Sequence, residues 1–444
     1  MYDIIIIGAG PAGYVAALRA GQLGLSTLLV ERGRTGGRAI HSGVIPSKGM
    51  LESARFYERV LHAERFGVEG LHASKPRFSM KTAAERTQQV SARMERDIEA
   101  QLEQRGVERI RGTARLASAT SISVENREID GRHIILATGS DTVELPFEMP
   151  AERTASAWNA LSRVEVPENV VVLGATPIAV EYAQLFSMLK ARVTIATAYP
   201  FLLPMLGTRL REAVQSRLER AEVSIVTDAT TYSYGNGVLK IGAERAPCDL
   251  VVNCIAERAM VPETDVSLAM TGPFVGVDEY LRTNIETVYA VGNVNGTMPT
   301  ARSASAQGLF AVNHIAGLNE PWAADDEPVI VYGEPELAQI GRTESELEAD
   351  GLEYRVAEAP LSQNGKALLA DVDDGFVRIL FEPKYGEVLG VQVFADNASD
   401  IVGEASALLR FEGTVYDVAR TAHAHPAISE VFMELGRTAT EEIG

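Results

Sequence analysis

The sequence predicts an α/β chain built on two dinucleotide-type βαβ modules and closed by an α+β domain. Three observations carry that prediction. Apolar runs suited to strands buried on both faces recur at residues 2–7, 134–137, 170–173 and 288–291. The runs at 2–7 and 170–173 each pass into a glycine turn and a helical stretch, so one unit occurs twice. From about residue 322 the texture changes. Val329–Tyr332, Phe376–Phe381 and Val388–Phe394 read as antiparallel strands, and helices are expected at about 397–411 and 428–438.

The first unit runs from the strand at 2–7 through Gly8-Ala9-Gly10-Pro11-Ala12-Gly13 into a helix at about 11–23. A second strand is expected at Ser26–Val30, with Glu31 at its end. The glycines allow a tight turn, close approach of a pyrophosphate to the backbone, and close helix–sheet packing. The helix N-terminus favours negative charge, and Glu31 can accept from a ribose hydroxyl. Residues 80–105 carry helical spacing with many charges, and the buried strand Ile134–Ala137 ends at Thr138-Gly139.

The second unit starts at Val170–Leu173 and continues through Gly174-Ala175-Thr176-Pro177-Ile178-Ala179, a helix to about Lys190 and a strand at Arg192–Ala196. It departs from the dinucleotide pattern. Thr176 holds the second glycine position, where a β-branched side chain obstructs the approach of pyrophosphate, and Ala179 holds the third. Thr197 replaces the acidic residue expected at the strand end, and no arginine cluster follows to receive a 2′-phosphate.

A chain of 444 residues has room for two to four domains. Its net charge of −19 argues against a nucleic-acid surface and against docking on acidic lipid. No apolar run is long enough for a membrane span and no secretory signal is read, so a cytoplasmic protein is expected. The two cysteines, Cys248 and Cys254, fall in an apolar stretch, Cys248–Ile255, read as a buried strand. Two thiols build neither a disulfide framework nor a metal site, and the seven histidines show no ligand spacing, so no metal is expected.

A resemblance adds to this reading. Gly36-Gly37-Arg38-Ala39-Ile40-His41-Ser42-Gly43-Val44-Ile45-Pro46-Ser47-Lys48 resembles the redox-disulfide segment of the flavin-dependent (pyridine nucleotide-) disulfide reductases, GG-x-C-x-x-x-x-C-IPSK. With the GAGPAG turn, Ala137-Thr138-Gly139, Ala290-Val291-Gly292-Asn293 and His423-Ala424-His425-Pro426, the chain is most similar to dihydrolipoamide dehydrogenase. The resemblance implies two Rossmann-like dinucleotide-binding domains plus a C-terminal α+β dimerisation domain. The expected boundaries are 1–145 (FAD-binding), 146–260 (NAD(P)-binding-like), 261–321 (FAD-domain return) and 322–444 (dimerisation). A homodimer acting on a small-molecule substrate is implied.

By the same resemblance, Gly8, Gly10, Gly13 and Glu31 hold the FAD diphosphate and ribose, and Ala114 offers adenine a backbone contact. Arg32, Gly37, Arg38, Thr138, Gly139, Gly292, Asn293 and Ala301 complete the expected FAD site, with Asn293 standing where the family has Asp. Gly174 and Ala179 remain from the nicotinamide-nucleotide site, whose use of NAD(P)H is expected to be altered or lost. Lys48 and Glu181 match an ion pair beside the flavin, and His425 and Glu430 match an acid–base pair that serves the disulfide across the dimer. Alternatively, Lys48 and Glu181 are surface charges, and His425–Glu430 is an inherited cap and interface. His41 is either structural or faces the flavin, as in the similar soluble pyridine-nucleotide transhydrogenases.

Ala39 and Val44 stand where the family has its two thiols. Three functions follow from that gap. The chain is an FAD-dependent oxidoreductase acting directly on a non-disulfide substrate, an NAD(P)H:acceptor oxidoreductase or transhydrogenase, or a non-catalytic FAD-binding paralogue or scaffold.

Overall fold

The computed structural model describes residues 1–70, 76–163, 165–318 and 327–443. Ile4, Ile5, Ile6 and Ile7 are buried because the strand Tyr2–Ile7 lies in the middle of a parallel sheet. Thr27–Glu31 flanks it on one side and Arg127–Leu136 on the other, in the registers Ile4↔Thr27 and Ile4↔His133. Glu108–Arg111 extends the sheet beyond Thr27–Glu31, and Val288–Ala290 returns from far along the chain to pair with Arg127–Leu136. Four helices belong to the first half: α1 (Pro11–Gln22), α2 (Gly37–His41), α3 (Val44–Leu61) and α4 (Met80–Gln104).

A second sheet takes five parallel strands in the order Ser224–Val226, Arg192–Ala196, Asn169–Leu173, Leu250–Asn253, Thr154–Ser156. Helices α5 (Pro177–Met188) and α6 (Thr208–Arg220) connect its strands. Helix α7 (Ala301–Ile315) then packs on α1, where a Cβ at Gly308 would come 2.2 Å from the Ala12 carbonyl oxygen. That close approach brings the N-termini of α1 and α7 to one end of the first sheet.

The C-terminal sheet is antiparallel in the order Val329–Val331, Leu337–Gly341, Val388–Phe394, Phe376–Phe381, Arg355–Pro360. Helices α8 (Glu344–Ala349), α9 (Gly365–Ala370), α10 (Ala398–Arg410), α11 (Val415–Arg420) and α12 (Glu430–Ile443) complete this region. Its core includes Val391, Phe381, Val418 and Phe432.

The α/β, α/β, α+β order agrees with the sequence reading, with local corrections. The stretch Cys248–Ile255 is a strand only over Leu250–Asn253, so both cysteines flank it. Strand Ile134–Ala137 begins earlier, at Arg127, because its first half is largely exposed and charged and shows no apolar run. Helix α12 starts at Glu430 and continues to Ile443, beyond the expected 428–438. The three-stranded sheet Tyr232–Gly235, Val238–Ile241, Glu244–Pro247 was not expected; its strands are short and joined by tight turns. The boundary expected at 321/322 lies outside the described residues. Among the described residues, no helix is long and apolar enough to cross a membrane.

Candidate functional site

A cavity of about 430 Å³ opens where the first strand, α1, α2 and the N-terminus of α7 converge. The GAGPAG turn forms its floor, and each glycine answers to a different constraint. Gly8 has φ of +104°, and a Cβ there would meet the Ala137 carbonyl oxygen at 2.3 Å. A Cβ at Gly13 would lie 1.7 Å from the Gly8 carbonyl oxygen, so the helix reaches the strand only because Gly13 has none. At Gly10 a Cβ would meet nothing within 4 Å, although the residue lines the cavity. The protein's own packing leaves that space open to a ligand.

Glu31 ends its strand on the cavity wall, held by backbone donors from Ala9 (2.6 Å) and Gly33 (2.7 Å). Arg32, Gly37, Arg38, Ala114, Thr138, Gly139, Gly292, Asn293 and Ala301 also line the cavity. The backbone N–H of Gly292 donates to buried Gln307 at 2.7 Å, which fixes the turn before α7. Three lining residues, His41, Thr138 and Trp158, carry buried polar atoms with no partner in the protein. Open space at Gly10, two helix N-termini and an acidic strand end suit an anionic dinucleotide. The residues present therefore fit FAD. Among the described residues, no group of three or more His, Cys, Asp or Glu is placed to hold a metal ion.

The redox-type segment folds as α2 and α3 joined by Ser42-Gly43, and both Ala39 and Val44 face the cavity. The cysteines lie elsewhere and are buried. Burial pushes the Cys248 thiol up to about 12, with Asp249 adding to the effect, and burial also raises Cys254 strongly. Neither presents a reactive thiolate at neutral pH.

Ser91 Oγ donates to the Ile40 carbonyl at 2.6 Å, so α4 secures the end of α2. His41 Nε2 donates to the Thr35 carbonyl at 2.7 Å and lies 3.8 Å from Glu95, while Nδ1 is buried without a partner. Burial works to raise Glu95, but the Arg34 guanidinium and then His41 outweigh it and hold the carboxyl below its usual range.

Lys48 and Glu181 meet although they are 133 residues apart. The Lys48 ammonium donates to Glu181 Oε2 at 2.6 Å, and Glu181 is almost wholly buried. These charges pair inside the molecule, which sets aside the surface-charge reading. Lys48 is not itself part of the cavity wall.

Sequence reasoning missed Trp158. Its ring packs on Gly43, where a Cβ would come 2.6 Å from the indole, and the Arg38 guanidinium lies 5.5 Å from the ring centroid. Arg38 is anchored by Asp141 at 3.0 Å. Burial raises Asp141, but the Arg38 hydrogen bond and charge prevail and lower it. No motif flags Trp158; its placement depends on the second α/β region folding back on the first. Sequence reasoning also missed Glu257, which accepts from Ser140 and from Asn293, the latter at 3.4 Å.

Gly174 keeps the strained geometry of the second turn, with φ of +136° and no room for a Cβ beside the Cys254 carbonyl. Ala179 is fully buried in α5. Thr176 caps α5 without a side-chain hydrogen bond, and its hydroxyl has no partner. Buried Thr197 accepts from the Tyr199 N–H at 3.1 Å. Gly174, Thr176 and Ala179 do not line the cavity of the first turn.

His425 and Glu430 form a pair at the C-terminal surface. His425 Nδ1 donates to Glu430 Oε1 at 2.8 Å, and the Ala427 N–H donates to Oε2 at 2.8 Å. The Ala427 amide first, and His425 second, hold the Glu430 carboxyl below its usual range. His425 is 84% exposed and away from the cavity walls. Nearby His423 differs, because Glu404 at 2.9 Å and the Thr421 carbonyl at 3.1 Å engage both its nitrogens. His425 alone of the two keeps Nε2 free.

A family model described as pyridine nucleotide-disulphide oxidoreductase matches residues 2–308, and the dimerisation domain of that family matches residues 327–435. Leghemoglobin reductase of Vigna unguiculata is 31% identical over 462 residues, covering 97% of this chain and 86% of that protein. Dihydrolipoyl dehydrogenase of Bacillus subtilis is 30% identical over 449 residues, covering 97% of each. The crystal structure of LpdA from Mycobacterium tuberculosis superposes with a TM-score of 0.88 at 23% identity, covering 98% of this chain and 99% of that one. The HOCl-induced flavoprotein disulfide reductase RclA from Escherichia coli gives 0.86 at 20% identity, covering 98% and 99%. With its turn, cavity and C-terminal sheet all in place, this chain belongs to the pyridine nucleotide-disulphide oxidoreductase family, whose members bind FAD and use NAD(P)H.

Proposed function

We propose that this protein is an FAD-dependent oxidoreductase that exchanges hydride or electrons directly with a non-disulfide substrate. The observation that carries the reading is the pair Ala39 and Val44 on the cavity wall, with both cysteines of the chain buried elsewhere. When bound, FAD supplies a two-electron carrier. Thiol–disulfide exchange requires a thiolate, and two hydrocarbon side chains supply none. They present instead an apolar wall, extended by Trp158.

His425 is the group able to move a proton. Glu430 holds Nδ1–H, fixes the tautomer and leaves Nε2 free as base or acid. In a homodimer built through the C-terminal domain, the exposed His425 of one protomer would serve the cavity of its partner. Lys48 keeps a positive charge held by Glu181 one turn beyond Val44. The second turn gives NAD(P)H a poor seat, since Thr176 crowds it and Thr197 already takes the Tyr199 amide.

The test is steady-state turnover of dihydrolipoamide with NAD by the purified holoprotein. The reading expects none above background; turnover in the usual enzyme range of about 1–1,000 per second would sink it. A second reading, NAD(P)H:acceptor oxidoreductase, is favoured by the preserved Gly174 turn and by the family's use of NAD(P)H. Anaerobic mixing separates the two: rapid bleaching of the flavin by NADH or NADPH selects the second.

A further inference from the structure

The pair Lys48–Glu181, with its carboxylate buried and its ammonium partly so, is contacted by a third residue from a third region. Lys48 lies on α3, Glu181 on α5, and Tyr332 directly after the strand Val329–Val331 of the C-terminal sheet. Tyr332 contacts both charges. Its backbone N–H donates to Glu181 Oε1 at 3.0 Å, the oxygen that Lys48 does not use. The face of its ring lies 4.7 Å from the Lys48 ammonium. We propose that Tyr332 is the positioning residue for the Lys48 ammonium, acting through its ring face on the cation and its N–H on the carboxylate.

The physical reasons are direct. A carboxylate with one oxygen on a cation and the other on a fixed amide cannot rotate without losing a hydrogen bond in a buried site. The negative face of an aromatic ring attracts a cation at this distance, more strongly where water is excluded. The ammonium is thus constrained from two sides, by charge and by the ring.

Tyr332 is itself immobilised. Gln184 of α5 accepts from the Glu334 N–H at 3.1 Å and donates to its carbonyl at 3.3 Å. A Cβ at Gly333 would lie 1.9 Å from Gln184 Oε1, so a side chain there would displace the Gln184 amide that grips Glu334. Arg55 of α3 donates to the Gly333 carbonyl and pairs with Glu334 at 2.9 Å. Two helices from two α/β regions therefore grip residues 332–334, and the C-terminal domain sets the position of a charge on α3.

This rests on the reading that Lys48 lies beside the bound flavin, and the test separates the two claims. The midpoint potential of the flavin is measured in holoprotein with Lys48→Met, Tyr332→Phe, Tyr332→Leu, and phenylalanines of increasing fluorine content at position 332. Fluorination keeps the shape of the ring and weakens its negative face, so folding is preserved even if Tyr332→Leu fails to fold. Lys48→Met should shift the potential by about 30 mV or more, a tenfold change for a two-electron couple. Tyr332→Phe should match the parent. Tyr332→Leu and the fluorinated series should move stepwise in the direction of Lys48→Met. No shift in Lys48→Met removes the flavin reading of Lys48 and the proposal with it. A shift in Lys48→Met with a flat Tyr332 series leaves that reading standing and overturns the proposal alone.

Discussion

Gly10 and Gly13 stand three residues apart in one turn and separate ligand recognition from folding. Gly13→Ala places a methyl group 1.7 Å from a backbone oxygen, so strand and helix must part. We expect a loss of about 3 kcal/mol of stability, read as a lower Tm of the apoprotein. Gly10→Ala meets no protein atom, so the same Tm should be unchanged while FAD affinity falls by about tenfold. Equal effects of the two substitutions would contradict the cavity assignment. Such residues were legible in the sequence because the motif is local. Trp158, Tyr332 and Glu404 were not, because each acquires its partner only when distant segments close on one another. The Lys48–Glu181 pair spans 133 residues and was reached only through resemblance.

At the scale of the element, α5 and the strand Arg127–Leu136 each support a test. Thr176 caps α5 with no hydrogen bond from its side chain, so Thr176→Gly removes an obstruction and little helix stability, a few tenths of a kcal/mol. The rate of flavin reduction by NADH or NADPH should rise by about tenfold; no gain would contradict the reading of Thr176 as an obstruction.

His133 lies on the strand Arg127–Leu136, its Nδ1 buried and without a partner. Burial first, and then the charges of His314 and Arg132, lower its pKa below the ordinary value of 6.5, although Asp3 opposes them. The unfolded chain therefore takes up more protons than the folded one as pH falls below about 6.5. Stability should decline through that window, and His133→Gln should flatten the decline in a series of Tm measurements from pH 7 to 5. The buried halves of the strands were readable as apolar runs. The exposed charged half of Arg127–Leu136 was not, because its strand character comes from pairing rather than composition.

At the scale of the whole molecule, three regions meet around one charge pair, and a cavity that fits FAD is lined in part by Ala39 and Val44. The order of regions was legible because the βαβ unit repeats and the C-terminal texture differs. The junction at residues 332–336 was not, since it arises from packing between regions that the sequence shows only one at a time. The central claim is that electrons stop at the flavin in this chain. An anaerobic reductive titration, followed by visible absorption, tests it most directly. The account predicts complete bleaching with one electron pair per bound flavin and no long-wavelength thiolate–flavin band at any stage. Uptake of two electron pairs per flavin, with such a band at the midpoint, would contradict it.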